Sequence, residues 1–354
     1  MKKNITIGMD LGDKKNYVFG LNEEGKKLES QFIMNTQKQI EKFFKKYEKE
    51  NTRIVMETGT HSPWISEMLK KKGFEVLVVN SNQLPLISRS IRKNDMKDAE
   101  LLARLGRFDK DLLHTIEHRS QESRNDLSII KSRNKLVETR ASLVNHVRGI
   151  FKSFGQSIPS SSTPSFTQKI IFDIPHKLKN AINPILEIID TLTVKIRNYD
   201  KQIKELSEIK YPETKLLRQV NGVGPVTALT FILTIETPDK FQRSRTVGAF
   251  LGLTSKIFDS GEINKQLRIS KAGNKYLRSL LITCSNYIMG PFGNDCDLRQ
   301  HGLKIMQRGG KNTKKKAIVA VARKLSVLLH RLWKDKAIYD PFYNSKKDTL
   351  KQIA

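Results

Sequence analysis

Cysteine is nearly absent from this chain of 354 residues: Cys284 and Cys296 are the only two. Two thiols cannot build a four-ligand zinc site by themselves, and they give no disulfide framework. Long apolar runs are also absent. No stretch approaches the ~18–20 residues that a membrane span needs, which excludes an integral membrane protein. The opening Met1-Lys2-Lys3-Asn4-Ile5-Thr6-Ile7-Gly8-Met9-Asp10 has two lysines but no apolar core, so it does not read as a signal peptide. The seven histidines show no HExxH or comparable metal spacing and read as structural or nucleic-acid contacts. Acids are scarce: 36 Asp and Glu stand against 64 Lys and Arg, a formal net charge of +28. That excess exceeds what solubility requires and points to a polyanionic partner. With 38% apolar residues the chain can still bury a core, so wholesale disorder is excluded. These features describe a cytoplasmic, multidomain, nucleic-acid-binding protein with no membrane partner.

The first 117 residues read as α/β. Ile5–Asp10 is a short strand, Tyr17–Leu21 continues after a turn at Gly12-Asp13, and Asn22-Glu23-Glu24-Gly25 marks a second turn. Ile40, Phe43, Phe44 and Tyr47 give an amphipathic helix over residues 37–49. Arg53–Glu57 is a second strand, a helix starts near Ser62 with Pro63 in its first turn, and Gly73 ends it before the apolar run Phe74–Val79. Alternating strands and helices imply a parallel or mixed sheet. Residues 118–210 differ: two stretches with apolar residues at helical intervals, about 120–152 and 177–209, flank the Ser/Pro-rich segment 155–168. They read as an antiparallel, coiled-coil-like helical arm, serving either as a spacer or for oligomerisation. Residues 211–340 form a mainly helical third region, and 341–354 a tail. Within the third region, 263–294 and 299–334 contain many lysines and arginines and no acid, so the positive charge concentrates there. Ile318, Val321, Leu325, Leu328 and Leu332 form the apolar face of a helix over Lys315–Lys334, and Trp64 and Trp333 read as core.

Four acids suggest chemistry. Asp10 and Glu57 each end a strand, and Asp95 and Asp98 stand three apart, on one face if that segment is helical. Carboxylates gathered at strand ends repel one another unless a cation sits between them, and magnesium takes such hard oxygen ligands. Read singly, Asp98 also suits a helix N-terminus, and Asp10-x-Gly12 is a turn signal shared with sugar-kinase-like folds.

A strand Asp, a strand Glu and then Asp-x-x-Asp on a helix resembles the RuvC-like, RNase H-like nuclease domain of the DEDD transposases of the insertion sequence 110 family. The third region resembles the second domain of the same family through Gln219-Val220-Asn221-Gly222-Val223-Gly224-Pro225-Val226-Thr227-Ala228, then Phe241 and Ala249–Thr254, Ser260-Gly261, Arg268–Arg278 and Lys316–Leu325. The resemblance implies a recombinase of a prokaryotic mobile element, nucleoid-associated when bound to DNA. A structured noncoding guide RNA from the element would pair with donor and target DNA. It further implies that Ser260 is the nucleophile that holds the cut strand as a phosphoserine. Asp10, Glu57, Asp95 and Asp98 would bind Mg2+, and the two halves would be supplied by different subunits of a homodimer or tetramer. One departure stands out: Gly261 is followed by Glu262-Ile263-Asn264, where relatives often carry small or basic residues.

Read from chemistry alone, a Ser-Gly pair is usually a turn, and Ser244, Ser255 and Ser270 compete with Ser260. Arg268, Lys271, Lys275 and Arg278 could hold phosphate oxygens beside it. Gly222-Val223-Gly224 resembles a helix-hairpin-helix turn whose backbone N–H groups approach a phosphate, or is a plain helix–helix turn. Lys311, Lys314, Lys315 and Lys316 beside Gly309-Gly310 suit nucleic-acid backbone contact more than a solvated face, because no acid compensates them. The alternatives are a hydrolytic RuvC-like junction nuclease with a passive Ser260, a non-catalytic nucleic-acid-binding protein, and a sugar-kinase-like ATPase. The last leaves the charge unexplained.

Overall fold

The computed structural model describes residues 4–80, 94–108, 113, 115–170, 174–260 and 263–346. The chain divides into two compact units, Met1–Arg119 and Ser120–Ala354. Among the described residues no helix is long and apolar enough to cross a membrane.

In the first unit β1 (Ile5–Asp10), β2 (Lys15–Leu21) and β3 (Lys27–Met34) form an antiparallel meander. Helix α1 (Gln37–Phe44) leads to β4 (Thr52–Glu57), and α2 (Ser62–Lys71) leads to β5 (Glu75–Val79). The sheet order is β3-β2-β1-β4-β5, with β1, β4 and β5 parallel. Alternation along β1 divides the sheet's two faces. Ile7 and Met9 join Phe43, Phe44, Ile65 and Leu69 of α1 and α2 in one core. Phe19, Leu21 and Val55 on the other face pack against α3 (Asp95–Phe108) through Ala99, Ala103 and Leu102.

Two elements depart from the sequence expectation. Helix α1 stops at Phe44 rather than running to 49. Strand β3 was not expected, because Ile33 is the only buried residue in it and alternation is lost on an exposed edge.

The second unit opens with α4 (Gln121–Ser153), started by Ser120, whose hydroxyl accepts from Ser123 N at 3.1 Å. The short α5 (Phe166–Ile170) precedes α6 (Lys179–Glu205), which closes in one π turn over Leu206–Lys210. The two long helices run antiparallel. Asp126 accepts from Lys210 and Tyr211 at 2.6 Å each, Arg133 pairs with Asp200 at 2.9 Å, and Arg140 Nη1 donates to Thr193 at 3.1 Å. Val144, Val147 and Phe151 then meet Ile182, Leu186 and Ile189. The apolar seam is interrupted at its middle by polar pairs.

Then follow α7 (Thr214–Arg218), α8 (Pro225–Ile235), α9 (Val247–Phe250), the ribbon of β6 (Ser255–Ser260) and β7 (Ile263–Ile269), α10 (Lys275–Met289), α11 (Asp297–Gln307) and α12 (Thr313–Lys334). Helix α8 is the hub: every residue from Thr227 to Ile235 is buried. Leu277, Leu281 and Ile288 of α10 and Val321, Leu325 and Leu329 of α12 share its core. Trp333 is buried there, and Trp64 packs half-buried against the first unit's core.

His330 of α12 is fully buried, with Nε2 2.8 Å from the Pro238 carbonyl and Nδ1 2.9 Å from Ser244 Oγ. A carbonyl only accepts, so Nε2 carries the proton and Nδ1 accepts from the serine: the ring is neutral. Burial holds its pKa below the ordinary 6.5, aided by the nearby Lys334 charge. The unfolded chain therefore binds the proton more readily than the fold does. This contribution is complete above about pH 6.5 and is lost as pH falls below it. Thermal melting of wild type between pH 8 and 5 should show a decline that His330→Gln shows less steeply.

Candidate active site and nucleic-acid interface

The register Met9↔Met56 between parallel β1 and β4 sets Asp10 and Glu57 side by side at the strands' C-terminal ends. Both follow the alternation of Gly8 and Val55, onto the face covered by α3. Two glycines set the seat of that helix. A Cβ at Gly8 would stand 1.9 Å from the Ala99 carbonyl oxygen, and one at Gly106 would stand 2.2 Å from Val55 Cγ2. Gly106 also lies beside Thr6, so α3 runs antiparallel to β1 and its first turn, with Asp95 and Asp98, arrives at Asp10. Arg53 secures the other end: Nη1 donates to the Gly106 carbonyl at 2.8 Å while Nε and Nη2 hold Glu75 at 3.1 and 3.2 Å.

Asp10 registers this convergence. Its carboxyl is raised from the ordinary 3.8 to about 6, first by burial and then by the charges of Asp95, Asp98 and Glu57, against a Leu11 N–H that lowers it. The other three acids are thus within electrostatic reach of this carboxyl. Among the described residues, no three His, Cys, Asp or Glu side chains already stand in a metal-holding arrangement. The acids share a field without being in ligand contact. A divalent cation nevertheless fits this donor set: hard oxygens only, at the price of repulsion that such a cation would relieve.

Sequence reasoning missed the groups that frame the acids. Asn16, fully buried, accepts from Gly12 N at 3.2 Å and donates to Asn35, which in turn donates to the Gly12 carbonyl at 2.9 Å, fixing the loop after Asp10. Trp64 Nε1, a donor only, reaches His61 Nδ1 at 3.3 Å, so His61 Nε2 carries the proton and donates to Asp13 at 3.2 Å. That pair ties the loop after β1 to the loop after β4. The one available signal was Gly8 inside a strand, which marks close backbone approach.

Gly8→Ala is expected to lower stability by about 3 kcal/mol, because the new methyl meets helix backbone that cannot rotate away. Urea denaturation of the two proteins measures it.

In the second unit Ser260 is the last residue of β6, paired with Ile263 of β7 across a two-residue connection. That connection, Gly261-Glu262, lies outside the described residues, as does the turn expected of Gly261. The ribbon was not foreseen, yet its root is firmly built. Gly252 and Gly273 have φ +69° and +70°, and a Cβ on either would stand within 2.3 Å of neighbouring backbone. Arg278 Nη1 donates to the carbonyls of Leu251 at 3.0 Å and Ala272 at 2.7 Å. Arg278 is half-buried and committed to this root. Ser244, one of the competing serines, is engaged with His330.

Arg268, Lys271 and Lys275 are exposed near the ribbon, and Lys311, Lys314, Lys315 and Lys316 are exposed at the start of α12. None of them forms an ion pair among the described residues. Lysines at a helix N-terminus oppose the helix dipole, so an anion there would relieve two like charges at once. Gly222 has φ +90°, and a Cβ on it would stand 2.8 Å from the Tyr287 ring; Gly224 precedes Pro225, the first residue of α8.

Comparison with known proteins bears on both units. Residues 7–155 match a DEDD transposase family model of insertion sequence 110, described as "Transposase". Residues 214–292 match "Transposase IS116/IS110/IS902 family". Together these spans take in more than half of the chain. It is 26% identical over 247 residues to the transposase for insertion sequence element IS1111A of Coxiella burnetii, covering 68% of this chain and 66% of that protein. It is 22% identical over 240 residues to the transposase for insertion sequence element IS1328 of Yersinia enterocolitica, covering 67% and 70%. The chain thus spans about two thirds of the length of these relatives. It belongs to the insertion sequence 110 family of DEDD transposases.

Proposed function

We propose that the protein is a DNA recombinase that moves an insertion sequence, using Ser260 as nucleophile and the four acids as a metal-assisted phosphate site. The convergence of Asp95, Asp98 and Glu57 on the raised carboxyl of Asp10 is the observation that carries this reading. The strand order β3-β2-β1-β4-β5, with acids at the ends of two adjacent parallel strands, also supports an RNase H-like, RuvC-like first domain. The division into residues 1–117, 118–210 and 211–340 is part of the same proposal.

In the chemical step the Ser260 hydroxyl oxygen bonds to phosphorus as one backbone P–O bond breaks. The serine proton leaves, the released sugar oxygen gains a proton, and the strand end remains esterified to the protein. No bond energy is lost to water, so the reverse reaction can join a new strand. Magnesium, held by Asp10, Glu57, Asp95 and Asp98, would neutralise charge on the phosphate oxygens. Arg268, Lys271 and Lys275 would hold the phosphate near the ribbon, while Arg278 keeps the ribbon's root in place. Lys311, Lys314, Lys315, Lys316 and the Gly222–Gly224 turn would carry nucleic-acid backbone. Their contacts are sequence-blind, which suits an enzyme whose target is chosen by base pairing with a guide RNA from its own element. A homodimer or tetramer would bring the two halves of the site together.

The test is cleavage of donor and target duplexes by protein purified with its cellular RNA, in magnesium, with and without prior ribonuclease treatment. Site-specific cleavage lost on ribonuclease treatment supports RNA guidance. Unchanged site choice after RNA removal overturns that part, and water-derived ends without protein linkage would favour the hydrolytic nuclease.

A further inference from the structure

The Gly222–Gly224 turn borders a cavity of about 260 Å³. Val220, Ile288 and Pro341 supply apolar walls, and Asn221, Asn294 and Tyr339 supply polar atoms. Hydrogen bonds hold the lining segments in place. Gln219 accepts from Tyr339 N at 2.9 Å, Asp297 N donates to the Pro341 carbonyl at 2.8 Å, and Arg299 Nη1 grips the carbonyls of Ile288 and Gly290 at 2.6 Å each. By contrast, the Asn221 and Asn294 amides are exposed and have no hydrogen-bond partner among the described residues. Two exposed aromatic residues adjoin lining residues in sequence, and one of them also lies against the turn. Tyr287, before Ile288, lies against Gly222 and is 42% exposed; Phe292, before Gly293, is 78% exposed.

We propose that this cavity receives one unstacked nucleobase of a bound strand. Resting on the reading of the turn as a phosphate contact, the inference adds what the neighbouring nucleotide does. The volume falls just below the ~300–1,000 Å³ of pockets for drug-sized ligands, so a single planar ring system suits it better than a longer molecule. Apolar walls suit a base's faces, and two free amides offer donors and acceptors to its edge. Exposed aromatics beside a backbone-binding turn are how unpaired bases are held, by stacking that tolerates any base. Asp295 also lines the cavity, engaged by Cys296 N and Gln300, and the chain's net charge of +28 favours a nucleotide strand over a neutral metabolite.

The test uses the full chain and fluorescence anisotropy with labelled duplexes of three kinds: fully paired, with one unpaired nucleotide, and with the same bulge lacking its base. DNA and RNA versions of each distinguish which strand supplies the base. Wild type should bind the bulged form of DNA or RNA about tenfold more tightly than the paired and base-free forms. Asn294→Phe, which blocks the mouth, and Phe292→Ala, which removes only an exposed ring, should each reduce that preference to less than twofold while paired-duplex affinity stays within twofold. Equal binding of bulged and base-free forms by wild type, with paired duplex still bound, overturns the base site and leaves the backbone reading intact. Failure of wild type to bind any of the three overturns the backbone reading itself.

Discussion

Replacing Ser260 with alanine is expected to abolish covalent protein–DNA adducts and to lower strand cleavage by on the order of 10³-fold or more, the scale on which enzymes lose rate without their nucleophile. Folding should not change, because Ser260 ends a ribbon whose stability is set at its root by Gly252, Gly273 and Arg278. Binding of RNA and duplex DNA should survive, since the lysines proposed to hold phosphate lie on other elements. Ser255→Ala, at the opposite end of the same strand, is the matched control and should retain adduct formation. Denaturing gels of labelled donor DNA read adducts and cleavage, and thermal melting and fluorescence anisotropy read folding and binding. Cleavage that persists in Ser260→Ala would assign the attack to another group.

The second large effect runs opposite to the usual consequence of removing a buried group. Asp10→Asn is expected to stabilise the metal-free protein at pH 8 while eliminating cleavage. The folded state holds the Asp10 proton more tightly than the unfolded chain does, with a carboxyl near 6 against 3.8. Its contribution therefore favours folding below about pH 4 and is lost as pH rises through about 6. At pH 8 the ionised acid is a cost of at most roughly 3 kcal/mol, at ~1.4 kcal/mol per pK unit, and nearer 1 kcal/mol after screening by solvent. Denaturant titrations should show Asp10→Asn ahead of wild type at pH 8 and level with it near pH 4. Magnesium should reverse the order, raising the melting temperature of wild type by relieving the repulsion and raising that of the variant far less. Equal stability at every pH would mean that the acids do not share a field.

What was legible in the sequence followed from periodicity and punctuation. β1, β4 and β5 showed as apolar runs ending in acids or before turns, and Gly73 and Pro63 marked the limits of α2. The apolar face of α12 was readable because five residues stand at helical spacing: Val321, Leu325 and Leu332 enter one core, Leu328 packs half-buried against it, and Ile318 is buried. The helical arm was readable as two long helices, but its middle was not. Apolar residues at helical intervals run through both stretches, whereas Arg133–Asp200 and Arg140–Thr193 hold the middle, and nothing in a single sequence shows which polar residues will pair across helices. Strand β3 and the β6–β7 ribbon were missed for one reason: exposed strands bury too little to leave an alternating pattern.

The four acids could be singled out by their placement at element ends. Their gathering at the strand ends could be expected, but not what sets it, Gly8 and Gly106 admitting a helix against the sheet at contact distance. The His61–Asp13 and Asn16–Asn35 contacts that brace the site are likewise products of the fold, between residues 48 and 19 positions apart.

The most direct measurement is mass spectrometry of the protein–DNA adduct trapped by denaturation and digested with protease and nuclease. A nucleotide remnant is expected on the peptide containing Ser260, absent when Asp10, Glu57, Asp95 or Asp98 is replaced by its amide. Cleaved DNA with no modified peptide, or a remnant on any other residue, would contradict it.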